Sequence, residues 1–211
     1  MAAAKFKTCD LREPEMRYEK GRRVETRAKI LEAAATRFRR DGIEGVGIKS
    51  LMSEVGLTHG GFYAHFPSRD GLVAEAVGDA LGDTLRALRQ VVDEAEPEER
   101  LDSLIDSYLS ELHRDRMDRG CAGAALAPEV ARQPAAARAE FTAGLKKIID
   151  LLTAELPPGG SSSQRVERGY AVFSGMMGTL QLARALDNPS LSKNILASGR
   201  NAARLLATQP W

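Results

Sequence analysis

Side chains that could contact a nucleic acid are concentrated between residues 48 and 66, in the sequence IKSLMSEVGLTHGGFYAHF. Two short runs with apolar residues at helical spacing flank Gly56, which can adopt the positive φ that ends a helix. Thr58 follows as a candidate N-cap for the second run, and Leu57 is expected to pin the turn to the core. This layout predicts a helix-turn-helix, whose second helix has a diameter suited to a DNA major groove about 12 Å wide.

The exposed residues near the start of that second helix are Thr58, His59 and Gly61, which we expect to face base edges. Gly60, Gly61 and Ala64 leave this helix with few side chains that can read bases directly. We therefore expect some specificity to come from sequence-dependent DNA shape.

The charge of the chain is divided along its length, although the net value is only +1. Residues 1–69 hold 14 Lys or Arg and 9 Asp or Glu, whereas residues 70–211 hold 16 and 20. A basic N-terminal part would attract a phosphate backbone through counterion release. A solvated helix face would explain the same excess of positive charge. The excess therefore supports DNA binding only together with the helix-turn-helix motif.

Apolar residues recur at helical spacing along the rest of the chain, and no run is typical of a strand. We predict an all-α protein of about nine helices, the first over about 24–41 and ended by Asp41-Gly42. Ser68 is a candidate N-cap of a long helix, and the last two helices are expected over about 164–187 and 190–208. The predicted organisation is a flexible N-terminal extension (1–20), a helix-turn-helix DNA-binding domain (21–69) and a ligand-binding and dimerisation domain (70–211).

Several classes of function are disfavoured by what the sequence does not contain. No stretch of 18 apolar residues occurs, so we expect no membrane partner, and the charged N-terminus does not fit a signal peptide. Two cysteines, Cys9 and Cys121, favour a reducing compartment, so we expect a cytoplasmic protein. With only His59, His65 and His113, we expect neither a metal or other cofactor nor an enzyme.

The run from Gly56 to Thr58 and the run FYAHFPSRDGL from Phe62 to Leu72 resemble the TetR family of bacterial transcriptional regulators. The resemblance covers about residues 24–75. It implies that Thr58, His59 and Gly61 face bases, and that other residues contact the DNA backbone or reach the DNA: Arg22, Arg23, Arg27, Lys49, Ser50, Tyr63, His65 and Arg69. Tyr63 could instead be a packed core aromatic, and His65 a surface histidine. Gly47 and Met52 depart from the usual pattern, where Ser or Thr and Ala are common.

The resemblance also implies a homodimer and a small-molecule effector, both served by the C-terminal helices. We expect small and apolar residues of the penultimate helix to form the dimer interface: Gly169, Phe173, Gly175, Met176, Gly178 and Leu182. A contact within one chain is the alternative. For the effector we expect a cavity lined by Leu85, Leu88, Tyr108, Leu112, Met117, Cys121, Phe141 and Leu145, with ordinary core as the competing interpretation.

Cys121 follows a Gly-flanked break near two arginines, which would suit a sensor of oxidants or electrophiles. A buried structural thiol is the alternative.

The sequence and the resemblance together predict a ligand-responsive DNA-binding regulator. We expect a repressor that binds a palindromic operator as a homodimer and is released by its effector. The alternative is a helical ligand-binding or enzyme-like protein whose helix-turn-helix serves only packing.

Overall fold

The computed structural model describes the backbone of residues 12–209 and the side chains of residues 21–209, and within that range every regular element is helical. Nine α-helices and one 3-10 helix follow in this order: α1 Arg12–Asp41, α2 Ile48–Glu54, the 3-10 helix His59–Ala64, α3 Arg69–Glu94, α4 Arg100–Tyr108, α5 Glu111–Asp115, α6 Ala122–Val130, α7 Ala135–Ala154, α8 Ser162–Ala185 and α9 Pro189–Thr208.

Helix α1 begins at Arg12, about 12 residues before the predicted start. It therefore runs through residues 12–20 of the stretch for which we predict a flexible extension, and the rest of that stretch lies outside the described residues. The predicted end is confirmed, because Gly42 has a φ of +79° and its N–H donates to the carbonyl of Phe38 at 2.9 Å.

The head, residues 21–68, closes around one apolar core. Ile30 and Phe38 of α1, Leu51 of α2 and the rings of Phe62 and Phe66 are all buried. The two rings stack with centroids 5.7 Å apart, and they fix the segment after Gly56 against α1 and α2. The core thus determines how the motif is presented to solvent.

The body, residues 69–209, is built around α3, which begins directly after the head and packs on α1, α4, α6 and α7. The Ser68 cap is confirmed, since its hydroxyl accepts a hydrogen bond from the Gly71 N–H at 3.1 Å. Helix α4 ends at Tyr108 and α5 begins separately, because Ser110 caps α5 by accepting from the His113 N–H at 3.0 Å. Helices α8 and α9 pack along each other, and none of the helices within residues 12–209 is long and apolar enough to cross a bilayer.

Candidate nucleic-acid interface

The recognition segment, His59–Ala64, follows the Gly56 turn and lies over α2. Gly56 has a φ of +74°, as predicted, and the Leu57 N–H donates to the carbonyl of Met52 at 2.8 Å. The segment is a 3-10 helix and not the α-helix we predicted. Its six residues include two glycines, and short, weakly propagating helices adopt this tighter winding.

Thr58 stands at the start of the recognition segment but does not cap it with its side chain. Its carbonyl accepts from the Gly61 N–H at 3.0 Å, while the hydroxyl makes no capping bond. Thr58 and His59 are exposed and Gly61 is half-buried. The Thr58 hydroxyl and the His59 ring are therefore free to meet a base edge.

The two neighbouring aromatics of the segment face opposite ways. Phe62 is fully buried, whereas 61% of Tyr63 is exposed. The rings meet edge-on with centroids 5.2 Å apart, so Phe62 supports the base of the Tyr63 ring. The position of Tyr63 argues against the core-aromatic alternative and leaves its hydroxyl available to a phosphate.

His65 ends the recognition segment in a half-buried position. Its Nδ1 is buried and has no hydrogen-bond partner among the described residues. Burial lowers the pKa of its imidazole, and the positive charges of Arg23 and Arg27 lower it further. The ring is thus a polar group still lacking a partner at the edge of the motif.

Two of the predicted DNA-contacting arginines of α1 hold the end of the recognition segment. Arg23 Nη2 donates to the Ala64 carbonyl, and Arg27 Nε donates to the His65 carbonyl at 3.4 Å. Arg27 also pairs with Glu75 of α3, and its guanidinium lies 4.6 Å from the Phe66 ring centroid. These contacts of Arg23 and Arg27 could not be predicted from the sequence, because they join residues that are 38 to 48 positions apart in the chain.

The remaining predicted DNA contacts divide into exposed and engaged side chains. Arg69 Nη2 donates to the Ile43 carbonyl at 2.7 Å, so this arginine braces the turn after α1. Ser50 donates to the Gly47 carbonyl at 2.9 Å and remains exposed. The structure leaves one set of predicted residues open to solvent, which we name the reading face: Arg22, Lys49, Ser50, Thr58, His59 and Tyr63.

A cavity of about 510 Å³ opens in the body between α3, the α4–α5 region and the loop 116–121, and we name it the α3–α5 cavity. Four of the predicted effector residues lie on its wall: Leu88, Tyr108, Leu112 and Cys121. The other four do not: Leu85, Met117, Phe141 and Leu145. Met117 lines a different depression, beside Arg184 and α9, since the loop turns its side chain the other way.

A polar cluster forms the inner end of this cavity. His113 Nδ1 donates to the Tyr108 carbonyl at 2.6 Å, and His113 Nε2 accepts from the Cys121 N–H at 2.8 Å. Burial lowers the pKa of His113 to about 4, and the nearby Arg184 also lowers it. The imidazole is therefore neutral at pH 7, with its proton on Nδ1.

The Tyr108 hydroxyl and the Cys121 thiol lie beside each other in the same cluster. The hydroxyl is buried without a hydrogen bond of normal geometry to a described residue. Burial raises the pKa of Tyr108 well above its usual value, and the neighbouring Cys121 adds to this. Cys121 is itself only 1% exposed, which favours the structural-thiol interpretation.

The segment 118–130, which we name the connector, is bound to the head at both ends. At one end the buried Arg39 of α1 donates from Nε to the Asp118 carbonyl at 2.8 Å. At the other, Glu129 Oε2 accepts from the N–H groups of Ile43 and Glu44 at 2.7 and 3.3 Å. Movement of the cavity wall therefore has a direct structural path to the turn after α1.

The predicted interface residues of α8 divide between two faces. Gly169, Phe173 and Met176 face inward, so we remove them from the interface set. Gly169 is needed for packing within the chain, because a Cβ there would lie 2.0 Å from Thr153 Oγ1.

The other three interface residues, Gly175, Gly178 and Leu182, face outward. A Cβ at Gly175 or Gly178 would meet nothing within 4 Å, and Leu182 is 62% exposed. The helical spacing of apolar residues predicted α8, but it did not predict which face of α8 would be exposed.

Residues 30–76 match the model of the family described as bacterial regulatory proteins, tetR family. A curated relative, the uncharacterized HTH-type transcriptional regulator YfiR of Bacillus subtilis (strain 168), is 35% identical over 85 residues, which are 40% of each chain. The aligned part thus spans less than half of that relative.

The fold is similar to solved structures over most of their length. A TetR-family regulator from Cytophaga hutchinsonii aligns with a TM-score of 0.74 at 17% identity, over 90% of this chain and 98% of that one. One from Chloroflexus aurantiacus J-10-FL gives 0.70 at 20% identity, over 90% and 98%, and the reduced form of Escherichia coli NemR gives 0.69 at 18%, over 85% and 95%. The family model thus matches the helix-turn-helix part of the chain, and the solved structures share the fold of most of its length.

Proposed function

We propose that the protein is a DNA-binding transcriptional regulator of the cytoplasm. It acts as a homodimer on a palindromic operator, as a repressor that a small-molecule effector releases. The observation that carries this proposal is the reading face, where Tyr63 is exposed directly beside the buried Phe62.

Contacts to phosphates would supply most of the affinity. Arg22 and Lys49 contribute positive charge on the reading face, and the Tyr63 hydroxyl can donate to a phosphate oxygen. Base contacts fall to Thr58 and His59 alone among the exposed residues of the turn and its helix start. A regulator with so few base-reading side chains relies partly on DNA deformability.

The uncovered apolar surface of the last two helices supports the proposed dimer. Large apolar side chains of α8 and α9 remain between 39% and 62% exposed: Val166, Tyr170, Leu182, Leu191 and Leu205. A two-fold pairing of this surface would bury them, with Gly175 and Gly178 permitting close helix approach. It would also present two reading faces to half-sites one DNA turn, about 34 to 36 Å, apart.

Release by an effector would use the connector. A molecule in the α3–α5 cavity touches the loop 116–121, and Asp118 in that loop is bound by Arg39 of the head. An effector that binds the rearranged loop more tightly shifts the population away from the DNA-competent spacing.

The test begins with fragments of bacterial genomic DNA that the protein retains, from which a palindrome should emerge. Binding of that duplex should weaken steeply between 50 and 200 mM salt. Lys49→Ala should weaken binding about tenfold and reduce the salt slope by about two, because a dimer would lose two phosphate contacts. Lys147→Ala, an exposed lysine of α7, is the matched control and should change neither quantity. Indifference of the protein to duplex DNA at 50 mM salt would refute the proposal.

Dimerisation is tested separately by sedimentation equilibrium. Leu182→Glu puts a charge on the outer face of α8 and should give a monomer. Met117→Glu, at another exposed apolar residue, should leave the dimer intact. A monomeric wild-type protein would contradict this part of the proposal.

A further inference from the structure

We propose that the α3–α5 cavity binds an amphipathic organic anion, whose acid group pairs with Arg116 and Arg119 and whose hydrocarbon body lies on the apolar wall. This inference rests on the proposed function, because it specifies the class of effector. Its evidence is the positive charge of this cavity, the apolar part of its wall and the hydrogen bond that joins its loop to Arg39.

The charges on the cavity wall have one sign. Arg116 and Arg119 line it, and no Asp or Glu is among the described residues that do so. Arg119 is 72% exposed, and its nearest carboxylate, Asp118, is at 4.0 Å, the outer limit of an ion pair. Arg116 is exposed and forms no ion pair within the described part of the chain. Both guanidinium groups can therefore turn to an anion at the mouth.

A third cation lies directly behind the wall. A Cβ on Gly120, which lines the cavity, would lie 2.3 Å from Arg184 Nη2, and Arg184 itself lines the neighbouring depression beside Met117. Arg184 donates to the carbonyls of His113 and Arg114 at 2.9 and 3.2 Å, while its buried Nη1 has no partner among the described residues. Burial lowers the pKa of Arg184, and no carboxylate contributes to offset this. A buried charge without a counter-ion favours an anion nearby.

The remaining wall is apolar enough to hold a hydrocarbon body. Leu88 and Val91 of α3 line it together with the ring of Tyr108. Leu112 also lies on the wall and is 66% exposed, so a bound apolar group would cover a leucine that otherwise faces water. A volume of about 510 Å³ is within the range of small-molecule sites. A bare inorganic anion would leave this wall unused, and a lipophilic cation would be repelled by the arginines.

The acid group would act on the same loop that Arg39 holds. Pairing with Arg119 competes with Asp118, whose carbonyl accepts the hydrogen bond from Arg39 Nε. A loop rearranged around the anion would change this bond and, through α6, the position of Glu129 under the turn after α1. Binding of the anion and binding of DNA would therefore oppose each other, and by linkage each would weaken the other equally.

The direct test is calorimetric titration of the full-length protein with decanoate below its micellar concentration, without DNA. Decanoate should bind, while acetate, decanamide and decyltrimethylammonium should bind at least about tenfold more weakly. The double variant Arg116→Gln/Arg119→Gln should weaken decanoate binding at least about tenfold. Arg132→Gln/Arg138→Gln, which removes two exposed arginines away from the cavity, is the matched control and should not.

Decanoate should also lower the affinity for the selected duplex, and this effect should be lost in the Arg116→Gln/Arg119→Gln variant. Tighter binding of decyltrimethylammonium, or equal decanoate binding by both double variants, would overturn the inference. Failure of decanoate to bind a protein that retains salt-dependent DNA binding would remove this inference and leave the proposed function standing. Decanoate binding by a protein that does not bind DNA would support the anion site and refute the proposed function.

Discussion

The head and the body both bury apolar side chains closely, but they differ in where polar atoms lack partners. In the head, the Nδ1 of His65 is buried at the edge of the reading face, with no partner among the described residues. In the body, two of the buried atoms that lack a hydrogen bond of normal geometry to a described residue, the Tyr108 hydroxyl and Arg184 Nη1, lie at or close to a cavity wall. Leaving such groups unmatched costs about 1 to 3 kcal/mol each, so their positions indicate where a ligand could supply the partner.

This difference separates two ways of making a binding site. The head presents polar groups on the outside of a closed apolar core, as a surface for a large polyanion. The body places them inside, where a small molecule can enter. Three experiments on stability and binding test this difference between the head and the body.

The largest effect is expected from the neighbouring aromatics of the recognition segment. Phe62→Ala should lower the free energy of unfolding by about 3 to 5 kcal/mol, because it empties the centre of the head core. Tyr63→Ala should change it by less than about 0.5 kcal/mol but weaken DNA binding about tenfold. Urea unfolding and gel retardation measure the two. Similar stability losses in both variants would show that Tyr63 is a core residue after all.

A smaller effect is expected from the buried histidine of the body. The folded-state pKa of His113 is about 4, below its unfolded value of about 6.5, so the unfolded chain binds more protons between these pH values. Its contribution to stability is thus complete above pH 6.5 and is lost as the pH falls towards 4. Between pH 7.5 and 4.5 the loss should be about 2 to 3 kcal/mol.

The control for this pH dependence is His113→Gln, which has an amide donor and acceptor but does not titrate. Urea unfolding at several pH values should show a shallower loss for this variant than for the wild type. Equal pH dependence of the two proteins would mean that His113 takes up its proton at the same pH in the folded protein as in the unfolded chain. That result would contradict the hydrogen bonds of a neutral imidazole to Tyr108 and Cys121.

The smallest effect concerns the unmatched hydroxyl. Tyr108→Phe should leave the unliganded protein as stable or raise its stability by up to about 1 kcal/mol, because it keeps the ring and removes a buried hydroxyl that has no hydrogen bond of normal geometry to a described residue. Thermal and urea unfolding measure this. A loss above about 1 kcal/mol would show that the hydroxyl has a structural partner, and the contrast between head and body would weaken.

Local chemistry was readable from the sequence where one residue decides the outcome. Gly42 and Gly56 adopt the positive φ that their positions predicted, and Ser68 caps α3. The exposure of Tyr63 agrees with the resemblance, which implied a contact to DNA rather than a place in the core. These outcomes depend on neighbours within a few positions.

Contacts between distant segments were not readable. Arg23, Arg27 and Arg69 carry positive charge that suggested DNA contacts, yet all three donate to backbone carbonyls of the head. Arg39 is one of the residues that make the N-terminal part basic, although it is buried and joins the head to the connector. The sequence does not distinguish an arginine that contacts a phosphate from one that donates to a backbone carbonyl. The partner is determined by how distant segments pack.

The connector has a genetic consequence. Glu129 holds two backbone N–H groups of the turn after α1, and Arg39 holds the other end at Asp118, yet none of these residues lies on the reading face. Under the proposed release by an effector, a screen for variants that stay on the operator in its presence should therefore recover substitutions at Arg39 and Glu129. Such alleles would keep both binding activities and lose only the communication between them.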